Sequence, residues 1–204
     1  AYDVNIAGGL EWHEETFTVV AGDEASFIAG PLTDQGFGIG SNGFPGFKPS
    51  DAGEYDRRNY AAYIDIEAPF TEEFLMGLAL RYEDYDTFGS TTNYKLMGQY
   101  HLTEDLNVRG SISTGFRAPS LAQSSYRQIS TVLENNQPFE VGLFPTDSAA
   151  AQALGAQPLD AEESVHVTAG LMYTQGSFSL TVDAYRIDIE DRIVLSENLE
   201  GDAV

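Results

Sequence analysis

The feature that most limits what this chain can fold into is a set of thirty-five alternating positions without a single charge. Every second residue is uncharged, and most are apolar, along Tyr2–Trp12, Tyr60–Ala68, Phe74–Tyr82, Leu96–Leu102, Leu106–Phe116, Val165–Tyr173 and Phe178–Ala184. The twenty-eight positions between them carry seven charges, Asp3, Glu11, Asp65, Glu67, Arg81, Arg109 and Asp183, and Lys95 stands just before the fourth run. With 21% of the chain charged, thirty-five random positions would hold about seven. A period of two belongs to strands, and helical periodicity is nearly absent. The pattern predicts seven strands, near 2–20, 58–68, 74–85, 94–102, 106–116, 163–174 and 177–195.

The links alternate in kind. APFTEEF (68–74), HLTEDLN (101–107) and YTQGSF (173–178) are short and polar. The segments 20–58 and 117–162 are long, and EDYDTFGSTTN (83–93) is middling. Loops of that length are uncommon in compact domains. In an antiparallel meander this order sends every longer link, three in all, to the same end. The fold class that follows is all-β, an up-and-down meander from the wall of a large transmembrane barrel with long outer loops. No run approaches the roughly 20 apolar residues of a spanning helix, which leaves a barrel untouched.

A soluble β-sandwich, serving adhesion or carbohydrate binding, is the alternative, because its inner face is also free of charge. Two details favour lipid. Aromatic residues stand at the ends of the apolar runs (Tyr2, Trp12, Phe74, Tyr82, Phe116, Tyr173, Phe178), as in interfacial girdles. Small polar groups (Ser111, Ser113, Gly115, Thr168, Gly170, Ser179, Thr181) fill the other parity, which suits a wet lumen.

The net charge of −22 repels phosphate backbones, so nucleic acid is excluded as a partner. Without cysteine there are no disulfides or thiolate sites. EWHEE (11–15) looks metal-like, but its side chains alternate across a strand and do not converge. Glu83, Asp84 and Asp86 lack the spacing of a calcium loop and read as solvated charges. GFGIGSNG (36–43) imitates a dinucleotide loop with no helix after it. No serine or cysteine nucleophile stands in a catalytic setting. The expectation is no enzyme, no metal and no cofactor.

GSISTGFRAPSLAQ (110–123) resembles the strand-into-loop signature of TonB-dependent outer-membrane receptors, in which a polar-inside strand ends in Phe-Arg-Ala-Pro-Ser. NGFPGFKPSDAGEYDRRNYAAYIDIEAPFTEEF, LALRYEDYDTFGSTTNYKL, PLDAEESVHVTAGL and LTVDAYRIDIEDRIVLS resemble the same barrel in the same order. The resemblance covers nearly the whole chain. It implies a receptor in the outer membrane of a Gram-negative bacterium. The nutrient would be scarce: a ferric siderophore or other chelate, with cobalamin or an oligosaccharide as variants. TonB and a plug domain would be partners in the complete receptor. Residues 1–204 would then be a partial barrel of about seven strands, without plug or final strands, opening at Ala1 after processing or truncation. Open strand edges predict self-association of the isolated piece.

Strands hold binding loops, so the candidate ligand contacts are Phe37, Phe44 and Phe47 in the first long loop, with Arg117 and Tyr126 in the last. Arg117 could grip an anionic chelate by bidentate contact or pair with a neighbouring carboxylate. Arg81 and Arg109 are expected to face the lumen, where the alternative role is a ladder of wall ion pairs. The last loop is expected to hold a short helix at 147–155, capped by Asp147 and stopped by Gly155.

Overall fold

The computed structural model describes residues 3–41, 45–134, 137–197 and 199. Nine strands form: β1 (Asn5–Val19), β2 (Gly53–Pro69), β3 (Phe74–Tyr85), β4 (Gly89–His101), β5 (Leu106–Arg117), β6 (Gln128–Glu134), β7 (Gln137–Leu143), β8 (Glu162–Gln175) and β9 (Phe178–Glu190). Seven make one sheet in the order β1-β2-β3-β4-β5-β8-β9, and β6-β7 is a separate hairpin. The pairings from β2 onward are antiparallel. The sheet is open, with β1 and β9 at its edges.

Two compact units divide the chain. The first comprises 1–14, 58–118 and 160–195; the second comprises 15–57, 119–159 and 196–204.

In the first unit the register puts like with like. Ile66 pairs with Leu78, Leu78 with Leu96, Leu96 with Ile112, and Ile112 with Val167. One face is therefore a continuous apolar belt. It is open: Leu78 is 46% exposed, Leu96 42%, Val167 46% and Leu180 46%. Buried positions of this unit are instead small or polar: Ala61, Ala161, Asn59, Glu83, Asn107 and Glu162. A sandwich half would bury its apolar belt against a second sheet. The belt here is the surface.

The belt also slants across the register. The row that starts at Phe74 runs through Tyr100, Val108 and Leu171 to Val182. The aromatic lower edge moves from Phe74 on β3 to Phe178 on β9, four residues below Val182. At the upper edge the row of Leu78 ends at Arg186, the first charge on that face of β9. On β3 the first such charge is Asp84, six residues above Leu78. Four to six residues are about 13–20 Å of strand, across four spacings of about 4.8 Å each. The slope is roughly 35–45°, the tilt of strands in a membrane barrel. A level belt on tilted strands must cross the register in this way.

Several expectations need correction. The middling link between the third and fourth strands is a three-residue turn, since β3 and β4 pair up to Tyr85↔Gly89. Gly89, which follows the turn and opens β4, has φ 98°, in the left-handed region that glycine enters without strain. Two long loops remain at that end, not three. The first strand is described from Asn5, and Tyr2 lies outside the described residues. The second begins at Gly53, five residues earlier than predicted, and its added residues Glu54, Asp56 and Arg58 are polar on a face no longer in the belt. The last ends at Glu190, where Asp191 turns to φ 53°.

The second unit holds structure that apolar alternation did not reveal. Segment 117–162 contains α1 (Leu121–Ser125), the β6-β7 hairpin and α2 (Ala149–Ala153). Ser120 caps α1 with a full capping box, its hydroxyl accepting from the Gln123 amide and the Gln123 side chain accepting from the Ser120 amide. The predicted helix at 147–155 forms, but Ser148 caps it instead of Asp147, accepting from the Ala151 amide. Gly155 ends it at φ 89°. The unit has a small conventional core, with Val19, Leu121 and Ile129 buried. Gly40, from the dinucleotide-like run, sits at φ 75° against the backbone of Ser26, where a Cβ would collide; its role is a tight chain crossing.

Candidate functional site

On the polar face of the sheet unit, Arg81 and Arg109 each reach two strands away. The Arg81 guanidinium on β3 lies 5.9 Å from the ring centroid of Tyr63 on β2, and its Nη2 ends 2.6 Å from Glu11 on β1. Its Nε also donates to Glu83, which accepts from Asn59 and Tyr85. Arg109 on β5 donates to Asp183 on β9 at 2.7 Å, passing over Gly170, its register partner on β8. A Cβ on Gly170 would meet the Asp183 carboxylate and lie 3.0 Å from Arg109 Nε. The empty side chain makes that crossing possible. Both arginines therefore occupy the polar face as wall ion pairs.

The acidic clusters are divided among cations too. In EWHEE, Glu11 meets Arg81, Glu14 meets Arg58 at 2.8 Å, and Glu15 meets Arg57. Glu83 is buried in the network above, which corrects its reading as a solvated charge, and Asp86 accepts from the Arg58 amide at 3.1 Å. Among the described residues no group of metal-ligating side chains comes together.

Arg117, at the end of β5, faces Glu162 at the start of β8, with Nη1 3.2 Å from Oε1 and 3.3 Å from Oε2. The same carboxylate accepts the Ile193 amide at 2.9 Å. That amide, and secondarily the Arg117 guanidinium, holds the Glu162 carboxyl below its ordinary pKa. Between β4 and β5 the ladder stops at Lys95↔Ser113, and a cleft of about 270 Å³ opens beyond it. Glu163, Asp188 and Glu190 contribute to its walls, and no Lys or Arg does, so it suits no anionic ligand.

The second unit gathers the other candidates. Phe47 from the first long loop meets Tyr126 from the last, edge to face, with centroids 5.8 Å apart. Lys48 follows Phe47 and donates from Nζ to Thr131 at 3.2 Å. Arg127 follows Tyr126 and lies 5.9 Å from the ring centroid of Phe144. Phe37 is 59% exposed beyond the second 3-10 turn (Thr33–Gln35), and Phe44 lies outside the described residues. Lys48 and Arg127 were not among the sequence candidates. The available signal was that each stands next to one of the aromatics in a chain with only ten basic residues. Two rings from separate loops thus meet, and a cation adjoins each of them in sequence; stacking and charge-assisted hydrogen bonds are the contacts such groups offer.

An open, slanted belt with paired charges on the other face and long loops at one end is the wall of a β-barrel receptor. The TonB dependent receptor-like β-barrel family model matches residues 3–203, and the chain belongs to that family, one of receptors and not enzymes. The ferric enterobactin receptor PirA of Pseudomonas aeruginosa is 26% identical over 195 residues, 95% of this chain and 24% of PirA. The vitamin B12 transporter BtuB of Vibrio cholerae is 23% identical over 141 residues, 68% of this chain and 18% of BtuB. The crystal structure of the siderophore receptor PirA from Pseudomonas aeruginosa superposes with a TM-score of 0.67 at 20% identity, covering 98% of this chain and 31% of that one. The chain spans about a quarter of the length of the first curated relatives it matches.

Proposed function

We propose that this chain supplies part of the wall and two ligand-binding loops of an outer-membrane receptor that imports a ferric siderophore. The receptor would sit in the outer membrane of a Gram-negative bacterium, and uptake would be driven through TonB with a plug domain in the barrel. The observation that carries the reading is the contact between Phe47 and Tyr126, one from each long loop of the loop unit, with Lys48 and Arg127 next to them in sequence. Siderophore complexes are commonly anionic and often aromatic, and that chemistry fits two rings that each have a cation as sequence neighbour. Arg117, at the end of β5 where the strand gives way to the last loop, would contribute a guanidinium. Family membership and the relatives' names support the reading.

Similarity to BtuB supports a second reading, cobalamin. Cells expressing the full-length receptor as their sole uptake route would be supplied with radiolabelled ferric enterobactin or cyanocobalamin. Iron accumulation that is lost in a strain lacking TonB, and lowered by Arg127→Ala, is the expected result. Uptake of cobalamin alone would establish the second reading, and uptake of neither would remove both.

A further inference from the structure

Among the described residues, the Asp51 side chain is the one that the surface no longer reaches, with 0% of it accessible. A buried carboxylate is costly unless its oxygens are satisfied. Asp51 Oδ2 accepts the Lys48 amide at 3.2 Å and the Ile129 amide at 3.5 Å. Oδ1 accepts the Ser50 hydroxyl at 3.3 Å and lies 3.6 Å from Arg127 Nε, a buried nitrogen with no hydrogen-bond partner of its own. The donors come from both loops, and Ile129 is 78 residues from Asp51 in sequence. They are also placed tellingly. Lys48 adjoins Phe47, while Arg127 and Ile129 are the first and third residues after Tyr126.

We propose that Asp51 is a positioning residue for ligand binding: one carboxylate clips the two long loops together so that Phe47 with Lys48 and Tyr126 with Arg127 act as a single jaw. This rests on the ligand site proposed above and adds its mechanism. Asp51 touches no ligand itself. It acts through the backbone at Lys48 and Ile129 and through the Arg127 guanidinium. Each loop alone would hold half a site, and ordering the second half would be left to the ligand, at a cost in affinity.

The test uses the full-length receptor in outer membranes, with ferric enterobactin as the probe. Phe47→Ala, Tyr126→Ala and the double variant are measured in the parent and in an Asp51→Ala background, with receptor abundance in the membrane as the control for assembly. Asp51→Ala should weaken binding about tenfold or more, as a misplacement of about 1 Å can. In the parent the two aromatic truncations should be non-additive, since the first already breaks the jaw; in the Asp51→Ala background they should become additive. Asp51→Asn keeps one carbonyl oxygen for the two amides and should recover part of the affinity. If Asp51→Ala does not assemble, Asp51→Asn in place of Ala carries the same comparison. Unchanged affinity and unchanged coupling in the Asp51 variants, with Phe47→Ala and Tyr126→Ala each weakening binding, would overturn the proposal and leave the ligand site standing. Binding that none of these substitutions alters would remove the site and the proposal together.

Discussion

The two units bury opposite kinds of residue. In the sheet, Leu78, Leu96, Val167 and Leu180 are open, while Asn59, Glu83, Asn107 and Glu162 are enclosed. In the loops, Val19, Leu121 and Ile129 are enclosed, as in any small water-soluble core. One chain thus follows two solvent rules, and the change occurs within single strands. On β1 the outward face is apolar to Trp12 and then carries Glu14; on β2 it carries Arg58 just before Tyr60. The difference teaches that these loops are not loose connections between strands. They are folded bodies with caps, a hairpin and a buried carboxylate.

The largest expected effect comes from placing a charge in the middle of the belt. Leu96→Arg should lower the stability of the assembled wall by about 2–4 kcal/mol, the cost of a cation at the bilayer midplane. Heat-modified mobility and receptor abundance in the outer membrane would register it. Ser111→Arg, on the opposite face and one strand away, should be far milder. Equal tolerance of both would break the comparison, because it would mean that the belt faces water.

Leu121→Ala tests the other rule. Leu121 is 8% exposed and begins α1. Its truncation should cost about 2–4 kcal/mol, felt by the loop unit and not by the wall. Limited proteolysis should then cut between 119 and 159 while the wall keeps its heat-modified mobility. A loss of both together would show that the two bodies unfold as one.

These regions also differ in how much the sequence discloses. Strand parity survives in the sheet because its two faces meet opposite demands on adjacent residues, so the belt and its aromatic ends can be read directly. The loops are held by local polar contacts that carry no period. Ser120 and Gln123 cap α1 through side chains that look like ordinary loop residues. The β6-β7 hairpin pairs Glu134 with Gln137 across a two-residue connection without glycine, and its first strand, QISTVLE, has no strict alternation. Asp51 is one of many acids in an acidic chain, and its burial depends on partners 78 residues away. For the same reason Phe47 and Tyr126 could be proposed singly, but not as a pair.

A smaller effect is expected at Gly170. Alanine there would push Asp183 away from Arg109 and open a tie that spans β5, β8 and β9. The pair is exposed, so the loss should stay below about 1 kcal/mol. Asp183→Asn combined with Gly170→Ala should then cost no more than Gly170→Ala alone. Additive losses would show that the glycine serves the backbone and not the ion pair.

The smallest expected effect lies beyond the belt, where Glu162 holds both Arg117 and the chain at Ile193. Its carboxyl titrates below the ordinary range in the folded chain, chiefly because of the Ile193 amide and then because of Arg117. A depressed carboxylate stabilises fully above its unfolded pKa of about 4.3 and loses that contribution as pH falls through the folded value. Hydrogen exchange at the Ile193 amide should therefore remain slowed from neutral pH to about 4 and lose its protection below, once the intrinsic pH dependence of exchange is divided out. Glu162→Gln should give weaker protection that does not change across that window, because a neutral amide oxygen accepts the same hydrogen bond without titrating. Matching profiles in the two proteins would mean that the end of β9 is held by its strand neighbours, with no contribution from this carboxylate.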